Sequence, residues 1–87
     1  MPSLEVLNAF KFLNEHEISL QAFREVIKQP GVSGWAVARA LGAQPEVVDD
    51  ALKQLRDHKL LKTAEPGLNG NYVLTGVGFD LRHEVAG

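Results

Sequence analysis

The feature that most constrains this chain is a break of three residues. Gly42, Ala43 and Gln44 separate two stretches whose apolar residues recur at helical spacing. Upstream, Ser33 is a helix-cap candidate, and Val37, Ala38 and Leu41 fall on one face before Gly42 ends the run. Downstream, Pro45 suits a first helical position. Val48, Leu52 and Leu55 then stand at i, i+4 and i+7, with Ala51 beside them. Two short helices joined by a tight turn containing glycine are the helix-turn-helix pattern, and the rest of the chain has to be fitted around it.

On the N-terminal side the spacing predicts two more helices. Ser3 caps a helix starting at Leu4, with Leu4, Leu7, Phe10 and Leu13 on one face and Val6 and Phe12 beside it. It ends near Asn14 to His16. Ser19 caps the next, with a stripe of Leu20, Phe23, Val26 and Ile27, and Pro30-Gly31 stops it. After Lys59 the period changes. Leu60, Leu61 and Thr63 read as a short strand, residues 64–71 as a turn cluster, and Tyr72, Val73 and Leu74 as the returning strand. Thr75 caps a short final helix reaching Leu81 to Val85, against which Gly76 and Gly78 count. The expected class is α+β, mostly α: a three-helix core, a C-terminal β-hairpin and an extra N-terminal helix. The chain reads as one domain over 1–87, divided into an N-terminal helix (1–17), a helical core (18–59), a hairpin (60–75) and a tail or short helix (76–87).

This order of elements resembles the winged helix-turn-helix superfamily over Leu20 to Leu81. Val37-Ala38-Arg39-Ala40-Leu41-Gly42 is similar to its small helix, with alanine at the crossing and glycine at the turn. Val48, Leu52 and Leu55 followed by Leu60-Leu61 resemble its second helix running into the wing. Tyr72-Val73-Leu74-Thr75-Gly76-Val77-Gly78 resembles the wing close of bacterial regulators of the MarR, PadR and ArsR kinds, and Gly34-Trp35 sits where PadR-like proteins often carry glycine and tyrosine. The resemblance implies that the helix from Pro45 to Lys59 enters the major groove. The wing, from Thr63 to Tyr72, would reach the neighbouring minor groove or backbone. It also implies a small transcription regulator that binds double-stranded DNA as a homodimer. Some members of the superfamily bind protein instead.

The charge must be weighed against that. Nine basic and eleven acidic residues give a net charge of -2, whereas a strongly basic domain would advertise nucleic acid. With Val48, Leu52 and Leu55 inward, the opposite stripe of the second helix is Glu46, Asp50, Lys53 and Asp57. Phosphates repel three acids on one stripe. A solvated face, a DNA contact through carboxylates and a protein contact all remain open. Acids in a first turn also suit the helix dipole, and Asp49 with Lys53 is a favourable i, i+4 pair. Residues 64–71 hold no lysine or arginine.

The DNA-binding candidates are therefore Arg39, Lys53, Arg56 and Lys62 for phosphates, Gln44 and Gln54 for bases, and Asn69 and Asn71 in the wing. Trp35, the only tryptophan, is expected to plug a gap in the core. Phe10, Phe12 and Leu13 are more large apolar groups than one exposed face holds, which points to a dimer interface. Without cysteine there is no disulfide, thiolate or cysteine-ligated metal. His16, His58 and His83 lack metal-ligand spacing, and no nucleophile motif or phosphate-cradling loop is present. No catalysis, cofactor or metal is expected. Nor is a membrane segment or secretion signal, so a cytoplasmic protein is expected.

Overall fold

The local signals around the central turn act as their chemistry requires. In a computed structural model that describes residues 4–85, Ser33 Oγ accepts the Ala36 amide at 3.1 Å and opens α3 (Gly34–Leu41). Gly42 closes it in the left-handed conformation, φ +62°. Pro45 is the first residue of α4 (Pro45–Asp57), where its missing N–H is no loss. The end of α4 is a Schellman turn. The Leu60 amide reaches the Leu55 carbonyl and the Lys59 amide the Arg56 carbonyl, both at 2.9 Å. Lys59 itself takes φ +62°.

Before this pair lie α1 (Leu4–Glu15) and α2 (Glu17–Lys28), and after it α5 (Gly76–Val85). β2 (Leu61–Lys62) and β3 (Asn71–Leu74) form the hairpin, with Leu61 opposite Leu74 and Lys62 opposite Val73. A further strand, β1 (Val32–Ser33), pairs antiparallel with β3 and gives a three-stranded sheet of order β1-β3-β2. The core is one cluster. Ala22, Phe23 and Val26 of α2 meet Val48, Leu52 and Leu55 of α4, with Val37, Leu60, Leu61, Tyr72 and Leu81 closing the sides. The inward face expected for α4 is the observed one.

Three expectations are corrected. The inward face of α1 is Ala9, Phe12 and Leu13, an i, i+3, i+4 set. Leu4 and Leu7 are 72% and 52% exposed and Phe10 is half-buried. The side chain of Val6 and the cap at Ser3 lie outside the described residues. The dimer contact expected of Phe12 and Leu13 therefore gives way to burial within the chain. Phe12 stacks on His58 with ring centres 3.9 Å apart and meets His16 edge-on at 4.6 Å. Second, α2 begins at Glu17 with an extended His16 before it, and Ser19 is a buried residue inside the helix. Leaving the backbone free to turn at His16 lets α1 and α2 follow each other directly. Third, Trp35 is 49% exposed and does not fill the core.

Thr75 caps α5 as expected: its Oγ1 accepts the Gly78 amide at 3.0 Å and donates to the Lys59 carbonyl. The two glycines of this helix differ in kind. A Cβ on Gly78 would run into the Leu60 carbonyl oxygen, whereas one on Gly76 meets nothing within 4 Å. Gly78→Ala is expected to destabilise the fold by about 1–3 kcal/mol through overpacking. Gly76→Ala should stabilise it by about 0.4–1 kcal/mol through the unfolded chain. Urea unfolding of the two variants checks the contrast.

Candidate nucleic-acid interface

Because Val48, Ala51, Leu52 and Leu55 are spent on the core, α4 presents its opposite side to solvent over its whole length. Glu46, Asp50, Lys53 and Asp57 are all exposed there, as the helical wheel requires. Val47 and Gln54 are exposed on the flank that borders the start of α2, where they share a shallow hollow with Ile18, Glu17, His16 and Asp50. Asp49 and Arg56, both half-buried, lie near enough to Tyr72 to influence its phenol.

The other candidates are distributed around this helix. Arg39 is exposed in the last turn of α3 and borders a hollow with Trp35, Gly42 and Pro45. Gln44 is exposed at the N-cap position of α4, its side chain making no cap bond. Lys62 is exposed on β2, and Asn71 on the central strand β3 opposite Ser33. Asn69 is exposed as well, but its Oδ1 already accepts the Trp35 indole N–H at 2.9 Å. The wing tip thus contributes one engaged amide and no base. The role of Trp35 went unread in the sequence, since its partner is 34 positions away.

Two side chains hydrogen-bond to the backbone of the loop between β2 and β3. Thr63 Oγ1 donates to the Glu65 carbonyl at 2.9 Å and accepts the Glu65 amide at 3.3 Å. Tyr72, 2% exposed, reaches back under the loop: its hydroxyl donates to the Gly67 carbonyl at 2.9 Å and accepts the Gly67 amide at 3.2 Å. Burial pushes the Tyr72 phenol above its ordinary value, with the Asp49 carboxylate adding to the rise, while the Gly67 hydrogen bond and Arg56 oppose it. A raised phenol pKa favours the protonated folded state. Its contribution is whole below about pH 10 and is lost as pH climbs through the folded value. Tyr72→Phe should therefore cost about 0.5–1.5 kcal/mol at neutral pH. It should also remove part of the fall in stability expected of the parent at alkaline pH, measured by denaturant unfolding between pH 8 and 11.

Among the described residues there is no cluster of three or more His, Asp or Glu able to hold a metal ion, and no helix is long and apolar enough to cross a membrane. No family model matches the sequence, and no curated protein matches it. Solved structures do. The antimony-specific transcriptional repressor AntR matches 92% of this chain and 73% of its own at 28% identity, with a TM-score of 0.68. A mutant of S. aureus MepR bound to an oligodeoxyribonucleotide matches 91% of this chain and 63% of its own at 21% identity, with a TM-score of 0.64, a likeness of fold. With its helix-turn-helix, its three-stranded wing sheet and these two likenesses, the chain is a winged helix-turn-helix protein resembling transcription regulators of the MarR and ArsR kinds.

Proposed function

We propose that this chain is a small DNA-binding transcription regulator of winged helix type, a single domain over residues 1–87 that acts as a homodimer and has no enzymatic activity. The observation that carries this is α4. It is a 13-residue helix with one face in the core and the other unpartnered, set in a fold shared across 92% of the chain with a transcriptional repressor. A helix of that form fits the major groove of B-DNA. Arg39, Lys53, Arg56 and Lys62 would take phosphates, while Gln44 and Gln54 are placed to read adenine. Asn71 remains open to the backbone. The same reading implies a cytoplasmic protein. The antimony specificity of the neighbouring repressor is not carried over: soft ions take thiolates, and this chain has no cysteine.

The acidic stripe sets the character of the binding. With Arg39, Lys53, Arg56 and Lys62 as the candidate phosphate contacts and Glu46, Asp50 and Asp57 opposing them, association is expected to be weak. Its salt slope should correspond to about two to four phosphate contacts per protomer. A second reading, an interaction module for protein, is favoured by that stripe together with exposed Val47 beside it. Titration of a mixed duplex at low salt separates the two. Asp50→Asn should bind more tightly than the parent. Weaker binding would make Asp50 a reader of cytosine, and no binding by either protein would hand the stripe to the protein reading.

Pairing of two copies is proposed through the outer side of α1, where Leu4 and Leu7 are exposed beside half-buried Phe10, together with exposed Phe79 of the neighbouring α5. Leu7→Asp should then sediment as a monomer at concentrations where the parent is a dimer. A monomeric parent would reject the pairing.

A further inference from the structure

The strand ladder of the hairpin is too short to hold its own loop. β2 and β3 pair at only two positions, Leu61 with Leu74 and Lys62 with Val73, yet the intervening loop spans residues 63–70. A hairpin of this proportion is expected to leave its tip mobile unless something else fixes it. On one side Tyr72 does so through Gly67. On the other, the tip lies back on the first turn of α3. The Trp35 amide donates to the Leu68 carbonyl at 3.1 Å, and the Gly34 amide to the Gly70 carbonyl at 3.3 Å. The approach needs glycine at 34, since a Cβ there would lie 2.7 Å from the Leu68 Cα. Over the seam, the Trp35 indole N–H donates to Asn69 Oδ1 at 2.9 Å. The indole is half-exposed, so it sits where it does without a core to fill, and its one polar atom is committed to the wing.

We infer that Trp35 and Asn69 form a latch that holds the wing tip against α3 and so fixes the spacing between the wing and α4. Asn69 is then a positioning residue and not a contact to a groove. Its amide is engaged before any DNA arrives, and the first amides of α3, which would otherwise suit a phosphate, already face carbonyls of the loop. A tip ordered in advance spares the complex the cost of ordering it on binding. The effect on DNA rests on the reading proposed above, whereas the latch itself does not.

The experiment compares the parent with Trp35→Phe, Asn69→Ala and the double variant, using the whole chain. Two readouts are taken: amide hydrogen exchange, and affinity for the mixed duplex at low salt. Exchange at Val48 and Leu52 in the core should be unchanged in all four, showing that the fold is intact. At residues 34, 35 and 70 each single variant should exchange faster by about 2- to 12-fold, the worth of one hydrogen bond. The double should be no faster than either. Asn69→Asp, which keeps the acceptor, should retain the parent's protection. Affinity for DNA should fall by a similar factor in both single variants and no further in the double. Unchanged exchange in Trp35→Phe and Asn69→Ala overturns the latch. So does a loss of DNA affinity in Asn69→Ala that Trp35→Phe does not share, because Asn69 would then be touching DNA itself. If the parent binds no duplex, the DNA reading falls alone, and the exchange rates still decide for or against the latch.

Discussion

The apolar seam between α2 and α4 is the contact on which the other elements depend. Ala22, Phe23 and Val26 on one side and Val48, Leu52 and Leu55 on the other are sealed from solvent. Full burial of side chains of this size contributes roughly 1.5–3 kcal/mol each for the larger ones. Once α4 is seated there, the three-residue turn fixes α3, and the Schellman turn at Lys59 sends the chain straight into β2. Leu60 and Leu61 then fall into the same core. The outward face of α4 is a by-product of this seating: what is presented to a partner is whatever the seam leaves over.

The helix-turn-helix was legible because its determinants are local. A serine cap, a left-handed glycine, a proline at the first position and one apolar stripe each act within a few residues, and each does so here. The Thr75 cap is of the same kind, strong enough to start α5 despite two glycines in its first turn. What was misread of α1 and of Trp35 depended on partners distant in sequence. The period-three run of Leu4, Leu7, Phe10 and Leu13 fits a helix face as well as the inward set of Ala9, Phe12 and Leu13 does. Only packing against α2 and α5 decides between them. β1 is two residues long and owes its existence to β3, so no periodicity could announce it. Within the candidate site the charged stripe was legible from the wheel alone, whereas the engagement of Asn69 by Trp35 was not.

Phe12 gives the N-terminal helix a second attachment besides its chain connection. Its ring lies between His16, the residue preceding α2, and His58, the residue that follows α4. The start of α2 and the end of α4 thus share one aromatic contact from α1, while Arg24 of α2 donates to the Val85 carbonyl at the far end of α5. The terminal helices are in this way tied to the body that carries the exposed face of α4.

Under the proposed DNA reading, the acid-rich face of α4 would have a meaning beyond weak affinity. For a protein that reads DNA, the genome is mostly wrong sites, and what matters is the ratio of correct to incorrect binding. Incorrect binding is almost wholly electrostatic. Carboxylates along α4 would penalise every phosphate it approached, whatever the sequence, while hydrogen bonds to base edges would be made only at the right one. Such a helix gives up grip everywhere and keeps its discrimination, so occupancy of its true site would be set by the number of molecules present, with few of them sequestered along the rest of the duplex.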